Sequence, residues 1–247
     1  MFNNNPVIRE EALQGAAYNQ IAEPMTINGS VLKTFVLLLF LMIPAFVTWY
    51  QFTLGYMDKV QFIMMAGLII GFILALIITF KQTWAPYLSP VYAFCEGAFL
   101  GGFSAQIEAI YPGIAIQAIA LTFMTTFAML AVYKAGLIKV TNKFRSILLA
   151  AMGGIFLLYL TSFILSFFNK QIPYLFSSSP IGIGFSIFVV IIAALSLLPN
   201  FDFIEKGTQM MLPKYMEWYS AFGVMVTLVW LYMEIIRLLA KLKDNNR

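Results

Sequence analysis

The chain has 247 residues, 61% of them hydrophobic and 11% charged, with a formal net charge of +4. Soluble domains carry about 25% charged residues, so this chain cannot cover a water-exposed surface. It contains no histidine, which removes most zinc and haem sites and the usual proton shuttle, and one cysteine, Cys95, which removes any intrachain disulfide framework.

Residues 1–30 form a polar tail of mixed charge that includes Arg9, Glu10, Glu11 and Glu23. A signal peptide would place a basic segment and an apolar core there, so the first apolar run is expected to remain as a span. The apolar runs that follow are near 20 residues long, the length that crosses a bilayer core of about 30 Å. Lipid admits only helices or closed barrels. Barrel strands alternate in polarity over about ten residues, whereas 31–49 is apolar on every face, so helices are expected.

Seven spans are predicted. The first covers 31–50 and carries Pro44, which should kink it. The second covers 61–80 and ends at Lys81. The third, 89–107, opens at Ser89-Pro90, a cap followed by a first-turn proline. The fourth covers 112–133, the fifth 145–168, the sixth 180–199 and the seventh 217–240. Short connections leave no room for a second domain. The expected organisation is a tail over 1–30, a seven-helix transmembrane domain over 31–241 and a basic tail over 242–247. The fold class is all-α, a polytopic integral membrane protein.

Lys and Arg placement sets orientation. With the N-terminus inside, Arg9, Lys33, Lys81, Lys134, Lys139, Lys143, Arg145, Lys206 and Lys214 lie inside, against Lys59 and Lys170 outside. That favours a cytoplasmic N-terminus. Arg237, Lys241, Lys243 and Arg247 break the pattern and leave the side of the C-terminus open. Gly67 and Gly71, and Gly97 and Gly101, have the spacing that lets helix backbones approach in lipid, most simply within one chain. Trp49, Trp84 and Trp218 fall near span ends, as an aromatic belt requires. Cys95 is expected to pack as a small hydrophobe.

A carboxylate in the bilayer core costs about 2.5–3.5 kcal/mol on insertion scales, so each one needs a reason. Glu96 lies deep in the third span and Glu234 in the last, while Asp202 follows the sixth directly. Each has a plain structural reading. Glu96 can hydrogen-bond a neighbouring helix. Glu234 can pair with Arg237 three residues on. Asp202 and Glu205 can end a helix in solvent. The functional reading joins Asp202 with Glu234. Two close carboxylates in a poorly solvated place share a proton, and their oxygens are hard ligands suited to Ca²⁺.

The segment 92–104 with Glu96-Gly97, the junction Asn200-Phe201-Asp202-Phe203-Ile204 and the closing Leu231-Tyr232-Met233-Glu234-Ile235-Ile236-Arg237-Leu238-Leu239 resemble the YccA/Bax inhibitor family, also called TMBIM, in its bacterial branch. The resemblance covers about 30–243. It implies a bundle around a central last helix and a pH-sensitive calcium leak. Asp202 and Glu234 would be the proton-sensing, gating and Ca²⁺-contacting pair, with Lys81 as the basic partner ending the second span. The chain departs from the family pattern in having Glu234 for an aspartate, Phe201 for a tyrosine and Lys81 for an arginine.

The function expected is therefore a cation leak, with protons and Ca²⁺ as its ligands, no resident cofactor and no nucleic acid. The alternative is a non-conducting membrane regulator of a protease or quality-control complex. An enzyme is not expected, because only Asp202 among the aspartates suits an intramembrane protease. A bacterial inner membrane is the expected location.

Overall fold

A computed structural model describes residues 23–168, 170, 172 and 177–245. Most of the expected N-terminal tail, with Arg9, Glu10 and Glu11, lies outside the described residues, as does Arg247. Eight α-helices follow in order: α1 Ile27–Thr53, α2 Met57–Phe80, α3 Ala85–Ile110, α4 Ile114–Lys134, α5 Asn142–Ser166, α6 Pro180–Leu195, α7 Leu197–Gln209 and α8 Met216–Asn245. Among the described residues, six segments are long and apolar enough to cross a membrane: α1, α2, α4, α5, the unit Pro180–Gln209 and α8. Large apolar side chains face outward on the first helices, Phe46 and Phe62 among them, as lipid-facing surface does.

Local chemistry sets the ends. Thr26 caps α1 by accepting from the Gly29 amide at 2.9 Å, and Thr141 caps α5 by accepting from the Phe144 amide at 3.1 Å. Ser179 caps α6, with Pro180 at the first helical position. At the α3–α4 corner, Gly113 takes a φ of 84°, a left-handed conformation that suits glycine. The Glu108 carboxylate accepts there from the Gly113 amide at 2.5 Å and the Ala115 amide at 3.0 Å.

The third span is the segment whose crossing is least legible. α3 is not among the six apolar spans. It is packed between α1 and α2, and much of its length is buried. Its glycines explain the close fit. A Cβ on Gly97 would meet the Leu41 carbonyl oxygen of α1, and one on Gly101 the Ala45 carbonyl oxygen. Across the other face, a Cβ on Gly67 would lie 2.5 Å from the Cys95 carbonyl oxygen. The paired glycines thus serve packing within the chain. Cys95 is half-buried with a free thiol.

The sixth span does not end where expected. The helix breaks at Ser196, then resumes as α7 through 200–209, a stretch read from sequence as polar loop. Pro199 lacks the amide hydrogen that a continuous helix would need, and it is tolerated in the first turn of a new one. The Ser196 hydroxyl donates to the Ala193 carbonyl at 2.7 Å, satisfying a group near the break. Asp202 is consequently inside a helix and buried, not at a solvated helix end.

α8 is the most buried of the six spans and packs against α1, α3, α4, α6 and α7. By contrast, α5 buries only Leu148, Ile155 and Ser162, and its main helical neighbour is α6.

Candidate functional site

Polar contacts in the bundle interior gather on α8 and α7. Glu234 lies on α8 with 1% of its surface exposed. Its Oε2 accepts from the Tyr159 hydroxyl of α5 at 3.0 Å. Its Oε1 accepts from Arg237 at 3.0 Å and from the Trp230 indole at 3.3 Å. The Arg237–Glu234 pair is the local ion pair that the spacing suggested. The Arg237 guanidinium also sits over the Tyr159 ring at 5.4 Å, so three side chains close around one carboxylate.

Asp202 on α7 is bound differently. It accepts from Arg145, in the first turns of α5, and pairs with Lys206 one turn on at 3.0 Å. Glu205 beside it accepts from the Tyr133 hydroxyl of α4 at 2.5 Å. Both acids of this helix are therefore held by neighbours, Asp202 buried and Glu205 exposed on the helix surface.

The structure does not bring Asp202 and Glu234 together. Asn200 donates to Thr227 Oγ1 at 2.8 Å, and the Phe203 ring meets Tyr219 edge-on at 5.9 Å. These contacts place Asp202 level with residues 219–227 of α8. Glu234 lies seven residues beyond Thr227, about 10 Å further along the axis at 1.5 Å per residue. Each carboxylate has its own cation, so the two are separate sites. No cluster of three or more metal-ligating side chains occurs among the described residues.

Lys81 is also displaced from its expected part. It ends α2 with its ammonium over the Trp84 ring at 4.6 Å and pairs with neither acid. The basic partner of Asp202 is Arg145 instead. Glu96 is buried on α3, facing Gly71 of α2 and hydrogen-bonding with Tyr92 one turn back. The sequence suggests for Glu96 a hydrogen bond to a neighbouring helix, whereas its partner Tyr92 lies on the same helix.

One acid was not singled out from sequence. Glu217, in the first turn of α8, is fully buried. It accepts from the Thr26 amide at 2.8 Å and the Thr26 hydroxyl at 3.0 Å. It also pairs with Lys33 of α1 and, at 3.5 Å, with Lys214. Lys214 further reaches Glu23 at 3.2 Å, and that hydrogen bond holds its ammonium above the usual lysine range. The Met25 amide donates to the Leu212 carbonyl at 2.7 Å, so the chain before α1 is pinned to the start of α8. A glutamate at a helix N-terminus is favoured by the dipole and attracts little notice. Lys33, a cation in the second turn of a helix, was the available signal that an acid must lie nearby.

These contacts define two ends of the bundle. Glu217, Asp202 and Glu205 lie toward the end that holds the start of α1. At the other end Asp244 accepts from Ser178 at 2.6 Å and from Tyr111 at 3.3 Å, and Lys243 donates to the Pro112 carbonyl at 2.7 Å.

The family model described as Bax inhibitor 1 like matches residues 5–244, and the chain belongs to that family. No curated protein and no solved structure gives a significant match to it. The family is not known as enzymatic.

Proposed function

We propose that this Bax inhibitor 1 like protein is a proton-responsive cation leak, with Ca²⁺ as the permeant ion, in which Asp202 and Glu234 act as two separate proton-sensitive latches. The reading takes the bundle as seven spans around the last helix, with the N-terminus cytoplasmic, in the inner membrane of a bacterium.

One observation carries it. α5 has little apolar packing, yet it supplies a partner to two of the buried acids: Arg145 to Asp202 and Tyr159 to Glu234. Protonating Asp202 removes the charge that Arg145 holds. Protonating Glu234 weakens its acceptance from Tyr159 and releases Arg237. A carboxylate hydrogen bond is worth roughly twice a neutral one, so both ties loosen as pH falls. α5 is then free to tilt from α7 and α8. With α5 displaced, the Glu205 carboxylate and the oxygens of the neutral Asp202 and Glu234 carboxyl groups would line the gap with hard ligands for a passing cation. Ca²⁺ passes as cargo.

The test is Ca²⁺ entry into liposomes that contain the purified protein, from about pH 6 to about pH 8. Flux above empty liposomes that rises toward acid supports the leak. Absence of flux at every pH would transfer the reading to the non-conducting regulator, with the acids as bundle glue.

A further inference from the structure

We infer that the groove between α1 and α4 binds one phospholipid with an anionic headgroup, taken from the leaflet at the end where α1 begins. The groove is independent of the latches on α5.

Two cavities of about 410 Å³ and about 840 Å³ lie along these helices. Leu38, Phe123 and Leu228 line both, so they join into one cleft. Its wall on α1 runs from Ile27 to Trp49, about 33 Å at 1.5 Å per residue, which is the depth of a bilayer core. The smaller cavity is almost wholly apolar. The polar pair at its floor is already satisfied, because Ser104 and the Tyr232 hydroxyl bond each other at 2.7 Å. An acyl chain is matched to such a lining, and water is not.

The larger cavity differs at one end. Lys134 and Lys139 line it there, and neither has an ion-pair partner among the described residues. The one acid in the lining, Glu205, is engaged by Tyr133 and, at 3.5 Å, by Gln209. Two free lysines over an apolar slot, at the level where headgroups lie, are complementary to an anionic phosphate with its chain pointing into the membrane. A helix from a second copy would meet the bulky side chains of Phe35, Phe123 and Phe127, where helix pairs in lipid prefer small ones.

The experiment is native mass spectrometry of the full chain in detergent, titrated with phosphatidylglycerol or with phosphatidylcholine. Each lysine near an anionic lipid is expected to favour it about five-fold, so wild type should retain phosphatidylglycerol at least about ten-fold more tightly. Lys134→Ala with Lys139→Ala should erase the preference yet keep phosphatidylcholine binding. Lys134→Arg with Lys139→Arg should preserve it, as should Lys59→Ala at the opposite end. Thr126→Trp, which fills the cleft, should weaken both lipids. Equal retention of the two lipids by wild type, a preference that survives the double alanine change, or lipid binding untouched by Thr126→Trp would each overturn the inference.

Discussion

The Tyr159 hydroxyl donates to Glu234 at 3.0 Å, and this bond joins the loosely packed helix α5 to the most buried helix of the bundle. Glu234 is almost fully buried, and of its three hydrogen-bond partners Tyr159 is the one that arrives from another helix. Replacing Tyr159 by Phe keeps the ring and removes the donor. The expected outcome is a loss of about 1 kcal/mol in stability and a higher Ca²⁺ flux at neutral pH. Thermal unfolding in detergent and liposome flux check the two parts. Neutral flux equal to wild type would detach Tyr159 from gating.

Arg145 and Lys206 share Asp202, but only Arg145 comes from α5. Both cations are partly exposed, so their energetic worth is discounted to about 1 kcal/mol or less each. Their effects on flux should differ. Arg145→Gln is expected to raise basal leak, while Lys206→Gln, which alters a contact within one helix, leaves it near wild type. Equal effects of the two would mean that charge near Asp202 matters and the tie to α5 does not.

Glu217 is the strongest structural prediction. It has no exposed surface and holds Thr26, Lys33 and Lys214 at once. Glu217→Gln should cost about 2–3 kcal/mol, since Lys33 is left with its charge unpaired in a mostly buried place. Gly29→Ala probes the same spot from α1, because the added Cβ would fall on the Glu217 carboxylate. It should destabilise by about 1–3 kcal/mol, as overpacking does. Loss of melting temperature in both variants is the readout; an unchanged value for Gly29→Ala would show that the carboxylate can move aside.

Glycines on α3 and α5 should separate cleanly. A Cβ on Gly97 or Gly101 meets backbone of α1, which cannot yield without moving the helix. Gly97→Ala and Gly101→Ala are therefore expected to lower expression and melting temperature. Gly153 and Gly154 on α5 face open space. Alanine there should be neutral, or stabilising by up to about 1 kcal/mol through helix propensity. Similar melting temperatures across the four variants would contradict the packing described for α3.

Much of the fold was legible because apolar runs near 20 residues leave few alternatives in lipid. The seven runs correspond to α1 through α5, the broken α6–α7 unit and α8. What failed was depth. The sixth apolar run ends at 199, which puts Asp202 at a helix end, whereas the chain restarts as a helix at once. The partners of the acids were also hidden. Arg145 counted as a topology charge and Tyr159 as one aromatic among many. Yet Arg145 lies in the first turns of α5, beside the positive end of the helix dipole, where a cation is disfavoured without a partner. That conflict points toward an acid, though not to which one. Long-range pairings such as Lys33 with Glu217 span most of the chain, and no periodicity within one helix can reveal them.

The most direct test of the latch account compares Asp202→Asn and Glu234→Gln with wild type in Ca²⁺ flux from about pH 6 to about pH 8. Each amide mimics a protonated carboxylate, so each variant should leak more at the neutral end and show a flatter pH response, and the two together should be flattest. A pH response in both single variants as steep as that of wild type would contradict the account and place the proton sensor elsewhere in the bundle.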